Sequence, residues 1–172
     1  RRDAGDKEFL VKTEAGGVAV ASARTFVGRR RAIQTILREF AEGRNVGVLI
    51  HGMGNLGKSS LAMRIIQRLN PRYRSVVIFG RYDALSIFDR LLEAVPTDQR
   101  EAIEREWREK IAESPSRLAP AVETILTGPL AGHPLLLVID DLEQILEAPA
   151  PGQERIPLQD AYRATLQAVI QG

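Results

Sequence analysis

The chain has 172 residues, 44% of them apolar and 27% charged, the balance of a globular protein of one ordinary domain's length. Cysteine is absent, which excludes disulfides, thiol nucleophiles and thiolate metal sites, and two histidines leave little material for a zinc site or a His-based triad. A formal charge of +2 makes no case for nucleic acid, and no apolar run nears the length of a membrane span, so a cytoplasmic setting without a membrane partner is expected.

Residues 1–25 read as a linker or the tail of an upstream module. Phe9, Val11, Val18 and Val20 alternate there around Glu14-Ala15-Gly16-Gly17, a pattern of two short strands and a turn. From Phe26 onward a folded core is expected, over residues 26–172. Ile33, Ile36, Leu37 and Phe40 predict an amphipathic helix stopped by Gly43. The run Val46-Gly47-Val48-Leu49-Ile50 reads as a strand buried on both faces. A helix follows with Leu61, Ile65, Ile66 and Leu69 inward, ended by Asn70-Pro71. Ser75 to Phe79 is a second strand. Leu85, Phe88, Leu91, Leu92 and Val95 mark another helix. Residues 98–113 form a charged helix with Ile103, Trp107 and Ile111 on one face. Its pairs Glu101/Arg105, Glu104/Arg108 and Glu106/Lys110 stand in the favourable order. A helix near 117–127 precedes a third strand, Leu135 to Ile139. Residues 147–157 read as a loop, and Leu158, Tyr162, Leu166, Val169 and Ile170 form a last helix. Strands alternating with helices imply an α/β fold, a parallel sheet flanked by helices.

The chemistry concentrates in Gly52, Met53, Gly54, Asn55, Leu56, Gly57, Lys58 and Ser59, which fit G-x-x-x-x-G-K-[ST] between a strand and a helix. Glycines let the backbone curl until successive N–H groups face an anion. The helix beginning near Lys58, with Ser60 in its first turn, adds its positive end. The Lys58 ammonium would reach the β- and γ-phosphates and the Ser59 hydroxyl would ligate Mg²⁺. The ligand is a nucleoside triphosphate; the loop itself does not distinguish ATP from GTP, and no Asn-Lys-x-Asp guanine-reading motif occurs.

The second element is Leu135-Leu136-Leu137-Val138-Ile139-Asp140-Asp141. Two acids ending an apolar strand are costly unless a cation or donors meet them. Asp140 would accept a Mg²⁺-bound water opposite Ser59, so that Mg²⁺ is held via Ser59 and Asp140, and Asp141 would polarise the attacking water as general base. The alternative is that the pair only caps the next helix. Glu143 is a lesser candidate base. His51 reads as a strand-end residue, and Arg81 and Arg90 as surface arginines.

Phe26-Val27-Gly28-Arg29, the loop and the Asp-Asp strand, in that order, resemble the STAND class of P-loop ATPases, relatives of AAA+ and NB-ARC domains. The resemblance covers residues 26 to about 145. It implies that Phe26, Val27, Gly28 and Arg29 lie over an adenine, with Phe26 alternatively a core side chain stapling the first helix. It implies ATP or ADP with Mg²⁺, slow turnover, activation by homo-oligomerisation and further domains in the same chain. STAND proteins carry a sensor-arginine strand, a helical segment and a winged-helix segment after the Asp-Asp strand. In their strand order that further strand sits between the first and third, so the sheet is expected to be incomplete. Because the chain also begins with Arg1, it reads as part of a longer protein. The rivals are an ADP-holding module that never turns over, a DNA-handling AAA+ initiator and, less well matched, a small-molecule P-loop kinase.

Overall fold

The computed structural model describes residues 8–13, 16–20, 26, 28–43, 47–52, 57–70, 72–147 and 158–171. They fall into two compact units, residues 1–73 and 74–172. No helix among the described residues is long and apolar enough to cross a membrane.

In the first unit the alternating lead-in forms an antiparallel hairpin, β1 (Glu8–Thr13) against β2 (Gly16–Val20). Two helices follow, α1 (Arg30–Ala41) and α2 (Lys58–Leu69), and α2 packs on α1 and on both strands. The helical period decides what is buried: Ile36 from α1, and Leu61, Ile65 and Leu69 at four-residue spacing from α2. Gly43 follows α1 at a φ of 61°, a left-handed conformation that ends a helix without a Cβ clash. Phe40 meets the ring of Tyr73, just beyond α2, edge to face at 6.3 Å.

The second unit begins with β3 (Arg74–Ile78) and continues through α3 (Ala84–Ala94), α4 (Thr97–Glu113) and a 3-10 turn (Pro115–Arg117). After α5 (Leu118–Thr127) come β4 (Leu135–Ile139), a second 3-10 turn (Leu142–Ile145) and α6 (Asp160–Gln171). β3 and β4 pair in parallel, from Arg74 opposite Leu135 to Ile78 opposite Ile139. The three helices between them make the crossover that a parallel pair requires. Their apolar faces and the strands bury Val76, Ile78, Ile87, Phe88, Leu118 and Val122 in one core. Phe88, Ile78 and Ile87 have no exposed surface. The charged face of α4 carries its expected pairs, Arg105–Glu101 at 2.7 Å, Arg108–Glu104 at 2.9 Å and Lys110–Glu106 at 3.7 Å. Such exposed pairs contribute about 0.3–0.5 kcal/mol each.

The run at 46–50 is a correction. Val46 lies outside the described residues, and 47–50 form no strand and join neither two-stranded sheet. Val48 is 42% exposed and Leu49 74%. An apolar run becomes a buried strand only where neighbours take up its backbone groups. Hydrophobic composition specifies the first condition and says nothing of the second. His51, expected at a strand end, is likewise exposed and outside any strand. Of the expected loop at 147–157, only residue 147 is described.

α3 has a built N-cap. Asp83 accepts from the Ser86 N–H at 2.9 Å and the Ser86 hydroxyl at 2.7 Å. Burial pushes its carboxyl up, but those two bonds, its own backbone and the charge of Arg81 outweigh this and hold it below the ordinary value. A depressed carboxylate stabilises the fold above its unfolded pKa, and that share is lost as pH falls through the folded value. Asp83→Ala should therefore cost about 1 kcal/mol in urea unfolding at pH 7. The gap to wild type should narrow as pH drops below about 4, where the wild-type carboxyl also protonates. An equal gap at both pH values would contradict this.

Candidate functional site

The phosphate-loop candidate is built around the start of α2. Gly57 sits at φ 76°, ψ 33°, a left-handed conformation open to glycine at no steric cost. It turns the chain into the helix, and its carbonyl accepts the Leu61 N–H at 2.9 Å. Lys58, Ser59 and Ser60 thereby form the first helical turn, where N–H groups have no partner within the helix and the dipole is positive. The Lys58 ammonium donates to the Gly52 carbonyl at 3.1 Å, so it reaches back from the helix to the first residue of the motif. Met53, Gly54, Asn55 and Leu56 lie outside the described residues.

Of the expected base-contacting segment, Phe26, Gly28 and Arg29 are described and Val27 is not. Phe26 is half-buried, and the Arg64 guanidinium of α2 stands 5.8 Å from its ring centroid. Arg64 itself is only 8% exposed. One face of Phe26 is thus in contact with α2. Gly28 and Arg29 follow at φ 94° and 53°, and the Arg29 carbonyl accepts the Ile33 N–H at 3.0 Å, opening α1.

The acidic pair belongs to the second unit. The parallel ladder runs one residue past β4, because the Asp140 N–H donates to the Ile78 carbonyl at 3.0 Å. Asp140 is 9% exposed, and its Oδ2 is buried with no hydrogen-bond partner among the described residues. A buried carboxylate oxygen without a donor is costly, and a cation or a donated hydrogen bond would satisfy it. Asp141 is more open and sits at φ 55°, ψ 36°. That conformation costs most residues roughly 1–2 kcal/mol, and aspartate tolerates it better than most. It swings the chain out of β4 into the 3-10 turn. The Asp141 Oδ2 accepts from the Gln144 side chain at 3.1 Å, and its carbonyl from the Gln144 N–H at 3.0 Å. The pair does not cap that turn with a side-chain bond to its backbone. Glu143 and Arg81 are exposed, and Arg90 pairs with Glu93 at 2.7 Å.

A residue the sequence did not single out completes this end of β3 and β4. Tyr82, 3% exposed, donates its hydroxyl to the carbonyls of Asp140 at 2.6 Å and Asp141 at 3.1 Å. Burial raises the Tyr82 pKa, with the charges of Asp141, Asp140 and Glu143 adding to the rise and a backbone bond at Gly80 opposing it. The hydroxyl accordingly keeps its proton at neutral pH. A polar-tipped ring shortly after a strand, beside a parallel neighbour ending in acids, was the available signal.

A family model described as an AAA ATPase domain matches residues 25–167, which include all three segments. The chain belongs to the AAA ATPase domain family. Comparisons with curated proteins and with solved structures gave no match. As an AAA ATPase domain, the chain has an α/β P-loop fold, and its β3–β4 pair is a parallel piece of that sheet. Nucleotide binding and ATPase-type chemistry are the general business of the family. Within this AAA domain Lys58 and Ser59 are carried by the first unit, Asp140 and Asp141 by the second.

Proposed function

We propose that this AAA domain is the nucleotide switch of a STAND-type signalling ATPase, binding ATP with Mg²⁺ and hydrolysing it slowly. The observation that carries the reading is the reach of Lys58. A left-handed Gly57 sets it at the head of α2, and its ammonium lies over the loop's first carbonyl. That combination places one full positive charge and a turn of amides beside the same loop, which suits a triphosphate.

The roles divide by environment. Lys58 binds the β- and γ-phosphates, and Gly52, Met53, Gly54, Asn55, Leu56, Gly57 and Ser60 line them with backbone and first-turn groups. Ser59 and Asp140 would hold Mg²⁺; the buried Asp140 oxygen, which meets no donor among the described residues, fits that role. When bound, Mg²⁺ supplies charge that offsets the charge gathering on the phosphates. Asp141, less buried than Asp140, takes the proton of the attacking water. The water oxygen bonds to the γ-phosphorus as its bond to the β-bridging oxygen breaks, and ADP and phosphate leave. Phe26, Val27, Gly28 and Arg29 lie against the adenine. The switch works in the cytoplasm through other domains of its own protein, and its ATP state favours self-association.

Phosphate release from ATP by the wild-type chain tests this. Turnover below about 1 per second, at the low end of ordinary enzymes, is expected. ADP retained with no phosphate released would favour a holding module instead. Salt-sensitive DNA binding would favour an initiator-like ATPase.

A further inference from the structure

Asp140 and Asp141 can act as divided above only if the backbone between them is fixed. The Asp140 N–H is held by the Ile78 carbonyl at 3.0 Å, the last rung of the β3–β4 ladder. On the other side of the same residue, the peptide carbonyl is held by Tyr82, a residue 58 positions away in sequence. The same hydroxyl also reaches the Asp141 carbonyl, the residue whose left-handed turn takes the chain out of the strand. Tyr82 is itself locked. Its ring is buried, and the Tyr162 ring of α6 meets it edge to face at 6.3 Å and 81°. Asp83, the next residue, is the N-cap of α3 and anchors the backbone from which the ring projects.

We propose that Tyr82 is a positioning residue for the Asp140–Asp141 pair, setting the metal-holding and water-polarising carboxylates through their carbonyls. It touches neither nucleotide nor metal. The assignment rests on the nucleotide-switch reading of the same acids. Unlike a packing role, it lies in the hydroxyl and is lost on removing one oxygen.

The test compares the wild-type chain with Tyr82→Phe and with Tyr162→Phe, which keeps the ring contact. Mn²⁺ binding to the ADP-loaded protein is read by electron paramagnetic resonance, and ATP turnover separately. ADP saturation also stabilises any weakened variant during the measurement. In Tyr82→Phe the Mn²⁺ dissociation constant should rise roughly fivefold and kcat fall roughly tenfold, the scale of one lost hydrogen bond with some misplacement. The KM for ATP and ADP affinity in EDTA should stay within about twofold, because the loop at Lys58 is untouched. Tyr162→Phe should match wild type in all four. Mn²⁺ affinity and kcat of Tyr82→Phe within about twofold of wild type would overturn the assignment and leave the switch reading standing. Wild-type protein that binds no Mn²⁺ with ADP would overturn both.

Discussion

Lys58→Ala should abolish the stabilisation that Mg²⁺-ATP gives the wild-type chain. At about 100 times its dissociation constant, a ligand bound only by the folded state contributes roughly 2.7 kcal/mol. For a chain of this length that is a rise in Tm of roughly 5–10 °C. The variant should shift by less than about 1 °C, because the remaining helix-end partial charge of about half a unit is a poor answer to a triphosphate. The substitution is mild for the fold. Lys58 is the first residue of α2, where alanine is the best helix former, and its ammonium donates to the exposed Gly52 carbonyl rather than to a core group. Equal shifts in both proteins would remove Lys58 from the site.

Asp141→Asn should lower kcat by about 10²–10⁴ and leave ATP binding close to wild type, the range expected for a lost general base. Asparagine keeps the shape and tolerates the left-handed conformation at φ 55° as aspartate does, so the turn into Leu142–Ile145 survives. The amide cannot take the proton of water at neutral pH. Steady-state phosphate release and ATP-dependent melting, measured on the same preparation, separate the two effects. Turnover within about twofold of wild type would exclude Asp141 as the base and direct attention to Glu143.

Much of the second unit is legible in the sequence because its signals are local. β4 is five consecutive apolar residues bounded by Pro134 and Asp140, and the structure gives it those ends. The α4 faces follow from three-and-four spacing, with Ile103 and Ile111 buried and the ion pairs outside. The start of α2 is legible for the same reason, since a glycine before Lys58 is both the loop's last residue and the helix's cap. What failed is what depends on distant neighbours. Val48 and Leu49 have the composition of a buried strand, but strand formation is decided by what lies alongside. Tyr82 is only faintly marked, by its place shortly after a strand, because its partners are backbone carbonyls far along the chain and no side-chain pattern encodes a carbonyl. Nor does the sequence say which acid of the pair is buried. The extra rung from Asp140 to Ile78 and the left-handed Asp141 decide that.

The claim on which the functional reading turns is that the loop before α2 and the acid after β4 serve one nucleotide. The most direct measurement is the melting shift with ATP in EDTA and with ATP in Mg²⁺, for wild type, Lys58→Ala and Asp140→Asn. Lys58→Ala should lose both shifts. Asp140→Asn should keep the EDTA shift and lose most of the further gain from Mg²⁺, because in the proposed reading its carboxylate meets the metal and not the phosphates. An Asp140→Asn protein with the full Mg²⁺ gain would show that the two segments do not share a ligand.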